Sequence, residues 1–170
     1  MKSYILSVKL LNTDIERLIS VPEQCDFSDL HIVLQNVLGF EGEHLYHYQA
    51  GNIKIIPFEV IVESDDSEEL LFDKSVLPAE DATVNLMMLN FDVIKYYYDY
   101  GANWEAEIRF VEVAKRASKY PKLISGTGDM ANEVCGGPDG LDTCGEPREK
   151  LIVREVNWSL HDIFYDYDED

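Results

Sequence analysis

The sequence is poor in cysteine and in basic residues. Only Cys25, Cys135 and Cys144 occur among 170 residues, an odd number that does not fit a disulfide-rich secreted domain. No charged segment followed by an apolar stretch precedes Tyr4, so a signal-peptide pattern is absent. These features predict a cytoplasmic protein with reduced thiols.

Long apolar runs are also missing. The run at residues 84–89 is interrupted by Asn85 and is far shorter than the roughly 20 residues of a membrane-spanning helix. The 14 basic residues stand against 33 acidic ones, so the net charge is -19. Because such a charge repels phosphates, direct binding of nucleic acid is not expected, whereas a basic protein partner is compatible with it.

What the sequence does contain is enough apolar material for one domain. Hydrophobic residues make up 46% of the chain, with ten tyrosines, seven phenylalanines and two tryptophans. This content offsets the entropy lost on folding. We therefore predict a single α+β domain over residues 1–160. The acidic, aromatic residues 161–170 are expected to form a tail that stays disordered or docks on a basic partner.

Alternation of apolar and polar residues predicts most of the secondary structure. The predicted strands are 4–10, 15–21, 44–49, 53–62, 81–89, 91–100, 104–113 and 151–156. A helix is expected over residues 27–38, between an N-cap at Asp26 or Ser28 and the glycine stop at Gly39. Residues 63–69 are predicted to be a charged loop and residues 125–149 an irregular one. The order predicts a mixed or antiparallel sheet of two hairpins with one main helix across it, similar to a β-grasp.

Several segments resemble the plasmid pRiA4b ORF-3-like family, which includes passenger proteins of insertion elements. The residues that carry the resemblance are Ile15 to Pro22, Asp29 to His31, Leu34-Gln35, Gly39-Phe40, His44 to Tyr46, Tyr98 to Ile108, Glu133, and Cys135 to Pro138. The resemblance implies a protein associated with plasmids or mobile elements and implies no established activity.

Three positions depart from the family pattern. A segment similar to Tyr-Asp-Phe-Gly-Asp-x-Trp-x-His carries Ala102 in place of its second Asp and Ala106 in place of its His. A later segment similar to Pro-Pro-Glu-Asp-Cys-Gly-Gly carries Val134 in place of Asp. If these polar groups form a metal or acid–base site in relatives, this chain has lost part of it.

Four residues are candidates for catalysis: Asp99, Glu105, Glu133 and Cys135. Paired carboxylates serve as acid and base when their environments separate their pKa values. The alternative for Glu105 is a solvent-exposed strand face, and for Asp99 a structural role in which its carboxylate accepts backbone N–H groups of the turn. For the glycines at Gly136-Gly137, an unusual backbone conformation is the favoured explanation.

Metal or cofactor binding has little support in the sequence. His44, His47, Cys135 and Cys144 are the candidate soft ligands, yet they lack the close pairs typical of zinc sites. The glycine-rich segments lack the lysine of a phosphate-binding loop. We expect neither a metal nor a cofactor.

The second predicted hairpin carries the best candidate for a binding surface. It comprises Tyr98, Asp99, Tyr100, Asn103 and Trp104, and aromatic residues supply large contact areas at low entropic cost. The favoured function is a non-enzymatic module that binds a protein partner through this acidic and aromatic surface. The alternatives are a hydrolase or metal-dependent enzyme with a carboxylate and cysteine site, and an acidic mimic of DNA.

Overall fold

A mixed sheet runs through the molecule, and two of its helices pack on one side of it. The computed structural model describes residues 1–168. In this part of the chain the strands are β1 (Ser3–Leu10), β2 (Glu16–Pro22), β3 (Tyr46–Ala50), β4 (Ile53–Ile56), β5 (Val76–Pro78), β6 (Val93–Tyr98), β7 (Trp104–Val113) and β8 (Lys122–Thr127). The helices are α1 (Phe27–Leu38), α2 (Phe58–Glu63), α3 (Ser67–Phe72), α4 (Val84–Asn90) and α5 (Val153–Asp168).

The strand order is β5-β4-β3-β6-β7-β1-β2-β8. All neighbours are antiparallel except β4 and β5, which are parallel and joined through α2 and α3. The predicted α+β class is confirmed, and both predicted hairpins are present as β1–β2 and β6–β7. The sheet is larger than two hairpins, however, and its order does not confirm a β-grasp.

Helix α1 forms as its sequence predicts. The Asp26 carboxylate accepts from Asp29 N at 2.9 Å in a capping box, and Gly39 ends the helix at φ 92°. Leu30, Leu34 and other apolar residues of its inner side are fully buried. They pack on the sheet face that also buries Tyr96, Trp104 and Ile108, which we call the inner face. The core therefore lies between the sheet and its helices.

Five predicted elements differ from the structure, three of them because a helix lies where a strand was predicted. The strand predicted at 53–62 ends at Ile56, since Pro57 lacks the N–H that the ladder needs, and α2 follows. The strand predicted at 81–89 is mostly α4, whose N-cap Thr83 accepts from Leu86 N at 3.2 Å. The charged loop predicted at 63–69 ends early, because α3 begins at Ser67 and continues to Phe72. The irregular loop predicted from residue 125 begins after Thr127, because β8 extends into it.

The fifth difference is the strand predicted at 151–156, most of which belongs to α5. Val156, Leu160 and Phe164 are buried at helical spacing, so α5 packs on the core through one side. Residues 161–168 of the predicted tail continue this helix, and the remainder of the tail lies outside the described residues. The boundary expected at residue 160 thus falls within a continuous helix.

Candidate functional site

The turn between β6 and β7 is built around Asp99. This residue has a left-handed backbone at φ 56°, as does Asn103 at φ 59°, a conformation that Asp and Asn tolerate well. The Asp99 carboxylate accepts from Gly101 N at 3.2 Å and from Ala102 N at 3.3 Å. The predicted structural role of this carboxylate in the turn is confirmed.

A polar cluster lies beside this turn. His44 Nε2 is 3.5 Å from Asp99 Oδ2 and 4.0 Å from Glu133 Oε1. The side chain of His44 is 45% exposed, whereas those of Asp99 and Glu133 are 19% and 15% exposed. One imidazole therefore stands between two largely shielded carboxylates, and each of the three comes from a different segment.

The loop that carries Glu133 is held against the end of α1. Ala131 N donates to Leu38 O at 2.8 Å, and the Arg148 guanidinium donates to Met130 O at 3.0 Å. Glu133 Oε2 accepts from Glu41 N at 2.8 Å. Its other oxygen, Oε1, is buried without a hydrogen-bond partner. These contacts fix the carboxylate beside His44.

The hydroxyl of Tyr98 faces the same carboxylate from the inner face. Burial raises the pKa of Tyr98, and the nearby charge of Glu133 raises it further. The ring of Tyr98 is 1% exposed and packs on Phe40, with centroids 4.7 Å apart. Tyr98 is therefore a neutral, buried side chain that lines the cluster on its inner side.

A disulfide links the two ends of the segment that follows Glu133. Cys135 and Cys144 form a disulfide with Cα atoms 5.4 Å apart. The prediction of reduced thiols is wrong for this pair, because the turn that begins at Pro138 brings the two residues together. Cys25, by contrast, is a free and buried thiol.

The two glycines of this segment behave as the sequence predicts. Gly136 and Gly137 have φ of 77° and 132°, and a Cβ at Gly137 would overlap the carbonyl oxygen of Ala102. The special backbone predicted for Gly136-Gly137 is confirmed.

A cleft separates this segment from the β6–β7 turn. Its volume is about 330 Å³. Three carboxyl residues, Asp99, Glu105 and Asp139, border it together with three tyrosines, Tyr97, Tyr98 and Tyr100.

An aromatic group lies on the outer face of the sheet, opposite α1. The rings of His47 and Tyr97 stack with centroids 4.7 Å apart and planes at 12°, and His47 Nδ1 is hydrogen-bonded to Tyr100 Oη at 2.8 Å. We call His47, Tyr97 and Tyr100 the aromatic strip. Burial lowers the pKa of His47 to about 4, with a smaller contribution from the charge of Lys54. The imidazole is therefore neutral near pH 7.

The predicted binding residues do not all reach this surface. Tyr100 is 51% exposed, and Asn103 is also exposed. Tyr98 and Trp104 are each only 1% exposed, because they alternate onto the inner face under α1. The predicted membership of these two side chains in an exposed surface is therefore wrong.

His47 and Tyr97 belong to this surface, although neither is among the five residues predicted for it. The alternation of β6 places Tyr97 on the side opposite Tyr96 and Tyr98, and this signal was available in the sequence. What alternation could not show is the register that pairs His47 with Tyr97.

The candidate catalytic and metal residues are distributed over separate places. Asp99 and Glu133 converge around His44, whereas Glu105 pairs with Tyr97 on the outer face and Cys135 is in the disulfide. His47 belongs to the aromatic strip and lies apart from His44. Within residues 1–168, no three His, Cys, Asp or Glu side chains form a group that could hold a metal ion.

The three departures from the family pattern lie in different environments. Ala106 is fully buried on the inner face, where it pairs in register with Tyr96. Ala102 lies under Gly137, and Val134 is 77% exposed. A longer polar side chain at Ala106 would enter the core beside Tyr96, so this substitution removes a polar group from the inner face.

Comparisons with known proteins agree on a family. The family model described as plasmid pRiA4b ORF-3-like protein matches residues 2–168. The chain is similar to the uncharacterised protein y4hQ of Sinorhizobium fredii (strain NBRC 101917 / NGR234), with 29% identity over 152 residues, covering 84% of this chain and 72% of that protein.

A solved structure is similar as well. It is the crystal structure of the protein of unknown function MM3350 from Methanosarcina mazei Go1, with a TM-score of 0.68 and 27% identity. The match covers 83% of this chain and 78% of that one. In the described part of the chain, no helix has the length and apolar character needed to span a membrane.

Proposed function

Since the chain belongs to the plasmid pRiA4b ORF-3-like family, whose relatives named above carry no assigned activity, we propose a function from its own surface. The protein is a non-enzymatic module that binds a protein partner through the aromatic strip and the adjoining cleft. The observation that carries this proposal is the ordered His47, Tyr97 and Tyr100 group on a solvent-facing sheet.

The aromatic strip has the properties of a binding hot spot. Tyrosine contributes large contact area with few rotatable bonds, and the His47 contacts already hold both tyrosine rings in place. Less side-chain entropy is therefore lost on binding than at a mobile surface. A neutral His47 adds no charge that the partner would have to desolvate.

The cleft beside the strip indicates the chemistry of the partner. Asp99, Glu105 and Asp139 border it, and no Lys or Arg lies in its lining. A partner that places a lysine or arginine in this cleft while packing an apolar side chain on the strip satisfies both features.

Affinity purification with matched variants tests the proposal. We expect a tagged wild-type chain to recover a defined protein from its host's lysate, and the Tyr97→Ala/Tyr100→Ala variant to lose it. Val111→Ala is the control, because Val111 is 50% exposed on the neighbouring strand β7 and lies outside the strip. Equal recovery by the wild-type chain and the double variant would refute the role of the strip.

Acid–base catalysis is the second candidate function, and the convergence of Asp99 and Glu133 around His44 favours it. It ranks lower because Glu105 and Cys135 do not join the cluster. In the same purification, Glu133→Gln separates the two candidates, since an interaction module retains its partner when this carboxylate is neutralised.

A DNA mimic has less support on the outer face. Lys95, Glu107, Lys9 and Glu16 stand opposite one another in register across four neighbouring strands, and Lys9 Nζ is 3.8 Å from Glu16 Oε1. Alternating charges differ from the single sign of a phosphate array, so this face does not reproduce DNA.

A further inference from the structure

We propose that the helices between β4 and β5 are a second docking surface, one that takes a basic amphipathic segment of a protein. The surface comprises residues 58–73, which we call the acidic helical pair. It joins β4 to β5, the strand at one edge of the sheet. The inference does not depend on the aromatic strip.

The acidic helical pair is poorly packed for its apolar content. Within α2 only Ile61 is buried, and within α3 no residue is. The exposed apolar side chains are Phe58 at 48%, Val62 at 44%, Leu71 at 50% and Phe72 at 87%. Helices gain most of their stability from burying an apolar side, so α3 presents apolar residues that the described part of the chain leaves uncovered.

The charge of the pair is of a single sign. Residues 58–73 contain seven carboxyl side chains and neither Lys nor Arg. They are Glu59, Glu63, Asp65, Asp66, Glu68, Glu69 and Asp73. Apolar residues interspersed with acids form a surface complementary to a segment with one apolar and one cationic side.

Hydrogen bonds also hold both ends of the acidic helical pair. Phe58 N donates to the Glu80 carboxylate in the turn after β5 at 2.9 Å, and Val76 N, at the start of β5, donates to Asp73 O at 3.1 Å. The apolar side chains are thus presented from a defined backbone. A bound segment would cover Phe72, the most exposed of the four, and place its cations against the surrounding carboxylates.

Fluorescence anisotropy with a designed peptide tests this surface on the full-length protein. The probe is a labelled peptide of about 14 residues, roughly four helical turns, with Leu on one helical side and Lys on the other. A second peptide of the same composition, with the order scrambled to remove the two sides, controls for attraction by net charge. Salt of about 0.15 M limits long-range attraction, because the Debye length is then about 8 Å.

We expect saturable binding of the amphipathic peptide and at least about tenfold weaker binding by Phe58→Ser/Phe72→Ser, which retains every charge. Trp158→Ser is the matched control, since Trp158 is 72% exposed on α5. Leu71→Ser provides an independent variant within α3, and circular dichroism verifies folding. The Tyr97→Ala/Tyr100→Ala variant is expected to bind the peptide with wild-type affinity. The proposals for the two surfaces are therefore tested independently.

Three results would overturn the inference. They are no binding by the wild-type chain, equal binding of the scrambled peptide, and unchanged affinity in Phe58→Ser/Phe72→Ser. The second result would assign the attraction to net charge, and the third would place the peptide elsewhere on the molecule.

Discussion

His31 is a partly buried histidine whose ring forms part of the packing between α1 and the sheet. It stacks on Tyr46 with centroids 3.6 Å apart and planes at 7°, and its Nδ1 is 2.8 Å from Tyr96 Oη. Burial lowers its pKa from 6.5 to about 4. Between these pH values the unfolded chain binds a proton that the folded chain does not, so the stability that neutral His31 contributes is lost as the pH falls.

We predict that the destabilisation caused by His31→Asn is largest above pH 6.5 and decreases toward pH 4. The variant has no imidazole to titrate, while the contributions of other groups such as Asp29 cancel in the comparison with the wild-type protein. Urea unfolding of both proteins at pH 7 and at pH 4.5 measures the difference in unfolding free energy. A difference that stays constant with pH would contradict a partly buried, neutral His31.

The position of Tyr100 is an example of what the sequence does not predict at the residue scale. Strict alternation along residues 91–100 predicts that Tyr96, Tyr98 and Tyr100 share one face, and only the first two lie on the inner face. The left-handed backbone of Asp99 breaks the alternation and directs Tyr100 to His47 on the outer side. Such a conformation depends on the turn as a whole, so the residue types alone did not predict it.

At the scale of elements, α5 protects an edge of the sheet. Asn157 accepts from Leu123 N at 2.6 Å and donates to Leu123 O at 2.9 Å, which satisfies backbone groups of β8 as a further strand would. Exposed strand edges invite pairing with other chains. The side chain of Asn157 therefore joins a helix to the end strand of the sheet.

Asn157→Ala is expected to lower the free energy of unfolding by about 1–3 kcal/mol, because Leu123 loses both partners. Hydrogen exchange at the Leu123 amide is expected to accelerate as well. Arg154→Ala in the first turn of α5 is the control, since Arg154 is exposed. Unchanged stability and exchange in Asn157→Ala would show that this contact does not hold β8.

The elements that the sequence predicted well are those whose local signals agree. Helix α1 has a capping residue, an apolar side and a glycine stop, and the β1 and β2 strands alternate clearly. The strands predicted at 53–62 and 81–89 rest on short, mostly apolar segments, and such segments do not distinguish a strand from a helix. Helix α5 was missed because it buries only one side in a core assembled from distant segments.

At the scale of the whole molecule, the convergence of distant loops defines the candidate site. His44, Asp99 and Glu133 are separated along the chain, and the sequence singled out all three without predicting that they meet. Their meeting depends on the contact of residues 130–131 with Leu38 at the end of α1. The charge of -19, by contrast, follows directly from composition, and acidic residues border both proposed binding surfaces.

The measurement that tests the central claim most directly is site-specific photo-crosslinking in host cells. A benzophenone amino acid replaces Tyr100 in one variant and Val111 in another, which samples the aromatic strip and a separate exposed site on β7. The account predicts one discrete crosslinked protein from position 100 and none from position 111. The absence of any crosslink at position 100, or the same product from both positions, would contradict a protein-binding role for the aromatic strip.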